Sequence, residues 1–223
     1  MARTDPATTA PGPVTLRGQY CTLEPLVPDH AQALFEATSA TRGKDGRGDL
    51  FRFFFEHPPE SAAALRDWII QRASGMDPLF FAVVNRATGR CGGRQALMRV
   101  APAHRCVELG SVLWGRGISR TAVATEAFYL TACHVFDHLQ YNRLEWKCDD
   151  RNEPSKAAAR RFGFRFEGLF RHHMIVKGAL RDTAWFAMLH EDWQRLKPVY
   201  DRWLDPKNFD SDGQARTSLN TPR

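Results

Sequence analysis

No apolar run in the 223-residue chain approaches the roughly 20 residues that a membrane-crossing helix needs, so a helical span is not expected. Residues 1–13 hold one arginine and no apolar stretch, which argues against a signal peptide. Pro6, Pro11, Gly12 and Pro13 oppose regular structure there, and a flexible tail is expected. Cysteine is sparse: Cys21, Cys91, Cys106, Cys133 and Cys148 form no C-x-x-C pair. An odd count at wide spacing fits reduced thiols and a cytoplasmic location rather than a disulfide scaffold. His172-His173 is a poor metal pair, because neighbours on a strand point to opposite faces, and no metal is expected. No G-x-x-x-x-G-K-[ST] occurs. Gly115-Arg116-Gly117 starts a dinucleotide fingerprint, but Arg120 stands where its third glycine belongs. Nucleotide hydrolysis and nicotinamide chemistry are therefore disfavoured. Internal repeats and low-complexity tracts are absent as well.

What is present is an ordinary globular composition, 43% hydrophobic and 25% charged, with a formal net charge of +6. The length suits one domain or a domain with extensions. The basic balance would draw acidic partners such as nucleic acid, an anionic protein or a phosphorylated cofactor, although general solubility is the better explanation of the total. Locally, Arg151, Lys156, Arg160, Arg161 and Arg165 crowd one helix and are opposed only by Glu153.

Periodicity predicts one or two short strands over residues 14–26 and a helix over 29–38. A loop follows at 41–50, then an aromatic cluster (Phe51, Phe53, Phe54, Phe55) and a helix over 60–73. Strands at 79–85, 92–100 and 104–114, joined by short turns, form an antiparallel meander. A long helix at 120–138 leads to a strand at 143–148, and this strand–helix–strand unit should make its two strands parallel. A helix at 153–162 follows, with Gly163 placed as its C′ residue. A hairpin over 164–176 and 181–189 turns near Lys177-Gly178. Trp193, Leu196, Tyr200 and Trp203 recur at near-helical spacing and read as core covering, with Pro198 expected to kink or split the element. The sum is an α/β mixed sheet with helices on both faces.

Three places can carry chemistry. The helix opening at residues 119–125 offers unpaired N–H groups and a partial positive charge, a natural seat for pyrophosphate. Ala122 and Ala124 would let phosphates approach, with Arg116 and Arg120 nearby. The same residues also read as an ordinary capped helix start. At the second opening Asn152 can cap the helix with Pro154 in its first turn. Ser155, Ala158, Ala159 and Phe162 share one inward face, which puts the Ser155 hydroxyl at the mouth of a buried stripe near the end of strand 143–148. A hydroxyl bonded to its own helix is the alternative. Glu108, mid-strand among apolar neighbours, must be paired or face a cleft. Gly110 after it suggests a bulge that would part this strand from the one at 143–148, and a salt bridge to Arg105, Arg143 or Lys147 is the competing explanation for Glu108.

In this order the motifs resemble those of the GNAT acetyltransferases, in the branch of ribosomal-protein N-terminal (Rim-type) acetyltransferases and their small-molecule relatives. Ser119-Arg120-Thr121-Ala122-Val123-Ala124 stands where the family has Gln/Arg-x-x-Gly-x-Gly/Ala, followed by Thr125-Glu126-Ala127. Asn152-x-x-Ser155, Gly163-Phe164 and Glu167-Gly168 also match, and the resemblance covers about residues 14–193. Ser119 replaces the family's Gln or Arg, and Ala122 replaces a glycine. The resemblance implies a GNAT-like domain over 14–193 with a C-terminal extension over 194–223. Its sheet would be twisted and mostly antiparallel, with one splayed parallel strand pair. It implies acetyl-CoA as co-substrate, its pyrophosphate on the amides of Arg120, Thr121, Ala122, Val123, Ala124 and Thr125. Pantetheine would lie between the strands at 104–114 and 143–148, contacting Asn152 and pairing as an added strand.

A primary amine, from a small molecule or a protein N-terminus, would then attack the thioester directly. Glu108, with Glu167 in reserve, would take its proton. An N–H at Val112 or Leu113 would steady the developing oxyanion, and Ser155 would supply the thiolate with a proton. The Phe51, Phe53, Phe54 and Phe55 cluster and the hairpin around Arg181, Asp182 and Trp185 are candidate walls for the acceptor, with core packing the alternative for those aromatics. The partners expected are acetyl-CoA and an amine, with no membrane or nucleic acid, and a homodimer is left open. A non-catalytic basic module binding nucleic acid or a ribosomal surface is the alternative of a different class.

Overall fold

The computed structural model describes residues 3–5, 9–39 and 49–219. Most of the loop expected at 41–50 lies outside these residues. Eight strands hydrogen-bond in the order β1-β2-β3-β4-β5-β6-β8-β7, a mostly antiparallel mixed sheet with one parallel pair. The chain divides into two compact units, and β5 contributes its first residues to one and the remainder to the other.

One unit comprises Pro11–Arg99 and Leu109–Leu130. It holds β1 (Leu16–Arg17), β2 (Cys21–Pro25), α1 (Ala31–Ser39), α2 (Ala62–Arg72), β3 (Leu79–Asn85), most of β4 (Arg90–Ala101), the later part of β5 (Cys106–Trp114) and most of α3 (Ala122–Ala132). Strands β1 to β4 pair antiparallel in sequence order. The residues of β3, LFFAVVN, are apolar almost throughout, and its first five are buried, as a strand covered on both faces requires. α2 starts where Ser61 accepts the Ala64 N–H at 3.1 Å, so the hydroxyl cap sets its first turn. Leu34, Leu65, Ile69, Phe80 and Ala96 form this unit's core, with the Trp68 ring edge-on to Phe80 at 5.3 Å.

The other unit comprises Met1–Ala10, Val100–Glu108 and Thr131–Arg223. It holds the start of β5, then β6 (Arg143–Asp149), α4 (Glu153–Arg161), β7 (Arg165–Val176), β8 (Ala179–Leu189) and α5 (His190–Trp203). β6 runs parallel to β5, with Cys106, Val107 and Glu108 opposite Arg143, Leu144 and Glu145, as the strand–helix–strand reading required. The register stops at Glu108, although both strands continue. Gly163 closes α4 at φ +91°, a left-handed value that glycine adopts freely. Trp193 and Tyr200 are fully buried, and Trp193 stacks on Phe136 at 6.0 Å, so the aromatics of this segment are core. The N-terminal segment has fixed contacts here: Arg105 donates to Asp5 Oδ2 at 2.7 Å, and Tyr141 Oη donates to the Thr9 carbonyl at 3.3 Å.

Three local expectations need correction. α5 is not split at Pro198, the second of the two outcomes expected there. Proline removes one bond, to the Gln194 carbonyl, and both residues lie on the exposed face while Trp193, Leu196, Tyr200 and Trp203 hold the other face down. The helix expected over 120–138 becomes α-helix only to Ala132, then widens into a π segment, Cys133–His138. The irregularity expected at Gly110 falls on Ser111, whose φ is +51°.

Candidate active site

The opening of α3 is a tight loop that uses most of its own polar groups. The N–H groups of Ile118 and Ser119 both donate to the Gly115 carbonyl, at 3.1 and 3.0 Å, and Ser119 Oγ donates to the Trp114 carbonyl at 3.0 Å. Arg120 is left-handed at φ +63°. Thr121 caps the helix: its Oγ1 accepts the Val123 N–H at 3.2 Å, and its carbonyl accepts the Thr125 N–H at 3.3 Å. Of the six amides expected to face pyrophosphate, those of Thr121, Val123 and Thr125 thus donate within the chain. The amides of Arg120, Ala122 and Ala124 have no acceptor among the described residues. Ala122, Val123, Ala124 and Thr125 are all buried.

Glu126 fixes this opening, a role that sequence reasoning missed. Its carboxylate, 4% exposed, accepts the N–H groups of Gln19 at 2.7 Å, Tyr20 at 2.6 Å and Cys21 at 2.7 Å. Three charge-assisted bonds bolt α3 to the β1–β2 turn. Gly18 makes room for them, since a Cβ there would lie 2.3 Å from the Glu126 carboxyl carbon. An acidic residue inside an apolar helix was the available signal, but its partners lie about a hundred residues upstream.

At the start of α4 the Asn152 side-chain oxygen accepts the Ser155 N–H at 3.1 Å. That oxygen is committed to the cap, and what Asn152 can offer a ligand is its NH2. The Trp146 indole N–H reaches Ser155 Oγ at 3.0 Å. Indole N–H only donates, so the serine oxygen accepts and keeps its own proton to give elsewhere. Burial raises the neighbouring Cys148 thiol, and a hydrogen bond with Ser155 opposes that rise.

Glu108 is 3% exposed and belongs to a chain of alternating charges. Lys147 Nζ lies 2.9 Å from Glu108 Oε2 and 2.7 Å from Glu145 Oε2. Arg143 then joins Glu145 at 2.8 Å to Glu167 at 2.9 Å. Both carboxylates considered as base, Glu108 and Glu167, therefore stand in one ion-pair network, and of the three cations expected for Glu108 Lys147 is seen paired with it. The Lys147 ammonium also sits 3.8 Å above the Trp185 ring, itself 4.4 Å from Phe170. Burial alone would raise the Glu145 carboxyl, but hydrogen bonds from Lys147 and Arg143 outweigh it and hold the group below its usual range.

β5 carries Val112 and Leu113 immediately after the left-handed Ser111. The candidate acceptor aromatics divide: Phe51 is buried, Phe55 is 55% exposed, and Phe54 lies under the Arg94 guanidinium at 5.4 Å. Arg94 itself, a cation inside β4, is a second residue that sequence reasoning missed.

The basic crowd around α4 is engaged, with more acids than Glu153 opposing it. Arg151 pairs with Asp149 at 2.8 Å, Lys156 with Asp150 at 3.1 Å, and Arg165 with Asp192 at 2.9 Å. Arg160 lies over Phe186 and Arg161 over Trp203. Among the described residues no cluster of three or more His, Cys, Asp or Glu could hold a metal ion, and no helix is long and apolar enough to cross a membrane. His172 and His173 stand in an irregular stretch of β7, where the register shifts between Phe170 and Met174, and His172 has φ +49°.

Residues 21–165 match the family model described as "Acetyltransferase (GNAT) domain". A crystal structure of a GCN5-related N-acetyltransferase from Brucella melitensis is 46% identical, with TM-score 0.89, over 96% of each chain. A Bacillus subtilis (strain 168) protein provisionally named a ribosomal N-acetyltransferase, YdaF, is 25% identical over 80% of this chain and 96% of its own length. A Bacillus licheniformis protein named an uncharacterized N-acetyltransferase, p20, is 29% identical over 51% of this chain, and the match spans 63% of that relative's length.

Proposed function

Since the chain belongs to the GNAT acetyltransferase family, we propose that it transfers the acetyl group of acetyl-CoA to a primary amine, on a small molecule or a protein N-terminus. The observation that carries this reading is the first turn of α3. Its Arg120, Ala122 and Ala124 amides are unspent on internal bonds, and Glu126 holds them in place. Such amides, with the positive end of the helix dipole, suit a pyrophosphate.

Acetyl-CoA supplies an activated acyl group, and the residues of the chain do the rest. Ser155 holds a proton for the departing sulfur, its oxygen oriented by Trp146. The N–H groups of Val112 and Leu113 are assigned to the thioester oxygen, where negative charge grows. The Asn152 NH2 is assigned to the pantetheine arm. Glu108 is assigned the amine's proton, with Lys147 beside it as counter-charge, and Glu167 stands in reserve.

Direct attack by the amine is favoured over an acyl-cysteine route. The thiols of Cys91 and Cys106 are each pushed up to about 11, and Cys148 is also raised, chiefly by burial. Little thiolate is then present at neutral pH. A basic module binding nucleic acid has less support, because the cations around α4 are already spent on acids and aromatic rings.

Calorimetric titration with acetyl-CoA, followed by thiol release across a panel of small amines and peptide N-termini, tests the proposal. Saturable binding and amine-dependent release are expected. Failure to bind acetyl-CoA, with RNA binding that falls steeply with salt, would replace it with the module reading.

A further inference from the structure

Arg94 is among the largest fully buried side chains, at 1% exposure, and sits in the middle of β4. It is boxed by aromatic rings, with its guanidinium 4.5 Å from the Trp68 centroid and 5.4 Å from those of Phe54 and Phe80. One end pairs with Glu56. The other donates to the Ser111 hydroxyl and, at 3.2 Å, to the Ser111 carbonyl. Arg94 Nε is left without an acceptor among the described residues. Both Nη groups are thus satisfied while a third buried donor goes unmet, an arrangement that needs a reason.

The reason lies at Ser111. Its φ of +51° is unfavourable for a side chain with a Cβ, in a strand whose neighbours are extended. Such a conformation persists only when its surroundings over-determine it. Arg94 supplies one constraint. The residue before it supplies the second: a Cβ on Gly93 would lie 2.7 Å from the Leu113 carbonyl, so β4 approaches the β5 backbone closely just beyond the kink. A left-handed residue turns the peptides that follow it, here those of Val112 and Leu113.

We infer that Arg94 is a positioning residue for acetyl transfer: through Ser111 it sets the direction of the Val112 and Leu113 N–H groups, and Glu56 holds it there. This rests on the role proposed above for those amides. Arg94 touches no reacting atom.

The test uses the full chain, with Arg94→Met, which keeps an aliphatic stem but no donors, Ser111→Gly, and the pair combined. Amide hydrogen exchange at Val112 and Leu113 is expected to rise at least ten-fold in Arg94→Met, with Leu144 and Phe186 unchanged. kcat is expected to fall at least ten-fold, and the acetyl-CoA KM to move less than three-fold. The double variant should regain at least three-fold in kcat, because glycine holds a positive φ without a tether. A merely structural arginine would lower the melting temperature and give no such rescue, and that result would overturn the inference. Should Arg94→Met fail to fold, Arg94→Lys serves: one ammonium cannot bridge Glu56 and both Ser111 oxygens, and the same pattern is expected at smaller size. Unchanged exchange at Val112 and Leu113 in an enzyme that still turns over acetyl-CoA would remove this inference alone. Altered exchange in a protein that binds no acetyl-CoA would remove the proposed function instead.

Discussion

The two helix openings, at α3 and α4, solve the same problem with opposite materials. At α3 the groups proposed to meet the cofactor are backbone amides, and side chains serve to hold them: Thr121 caps, and Glu126 bolts the helix to a turn. At α4 the group assigned to the reaction is a side chain, Ser155, and the backbone N–H of that residue is spent on the Asn152 cap. A backbone donor survives most substitutions at its own position and fails only when the scaffold moves. A side-chain donor can be deleted in place. Damage at α3 should therefore appear first as lost stability and affinity, and damage at α4 first as lost turnover.

The sharpest way to break this contrast is Glu126→Ala. It removes the acceptor of three N–H groups, one buried and two part-buried, for a loss of about 3 kcal/mol on the scale of unmet donors. Urea unfolding should show that loss, and acetyl-CoA binding should weaken with it. Full affinity in a destabilised Glu126→Ala protein would mean that the amides of α3 do not depend on the bolt. Next is Ser155→Ala, expected to lower kcat about 100-fold, the scale of a positioned proton donor. Its Kd for acetyl-CoA should stay within about two-fold, and loss of the Trp146 bond should lower stability by about 1 kcal/mol. A Kd that rises in step with the fall in kcat would make Ser155 a binding residue and erase the difference between the two openings.

The same contrast separates what was legible in the sequence from what was not. The Asn152 cap, the inward Ser155 and the Gly163 stop are local chemistry, encoded within one helix turn of the residues they act on, and all three stand where the spacing put them. The succession of strands and helices along the chain, and the parallel pairing of β5 with β6, followed from patterning and connection rules. The remainder depends on partners distant in the chain. Gly110-Ser111 points locally to a bend at the glycine, but the left-handed residue is the serine, to which Arg94 donates from β4. Of the acids that hold the α4 cations, Asp149 and Asp150 stand beside Arg151 in the sequence and were legible there, whereas Asp192 comes from another helix and the aromatic partners of Arg160 and Arg161 from elsewhere. Pro198 carries a strong local instruction to break, which a buried aromatic face overrides.

A pH series sharpens the comparison through a residue that follows α3. His134, in the π segment that follows α3, has its pKa pushed down to about 4, first by burial and then by the nearby His138. The unfolded chain protonates this group near pH 6.5 and the folded one only near 4, so its contribution is complete above about pH 6.5 and is lost as pH falls toward about 4. The loss should be on the order of 2 kcal/mol after solvent screening. Replacing His134 with Phe should flatten unfolding midpoints across that window. A slope that persists in His134→Phe would assign it to the carboxylates. Glu145, whose pKa is lowered, can contribute to such a slope only at the acid end, because its share of stability is lost as pH falls below the ordinary carboxylate range.

The smallest effect discriminates most finely between backbone and side-chain supply. Thr121 Oγ1 both donates to the Ile118 carbonyl at 2.6 Å and accepts the Val123 N–H at 3.2 Å. Thr121→Val keeps the shape and removes both bonds, so helix capping should weaken by about 1 kcal/mol. It also frees the Val123 amide, adding a fourth open donor to those of Arg120, Ala122 and Ala124. The two consequences oppose each other for a bound pyrophosphate: a looser first turn weakens the site, while one more N–H strengthens it. A Kd for acetyl-CoA within about three-fold of wild type, alongside a measurable drop in stability, is the expected outcome. A ten-fold loss of affinity would show that the Thr121 hydroxyl itself meets the ligand, and the opening of α3 would then work by the same means as that of α4.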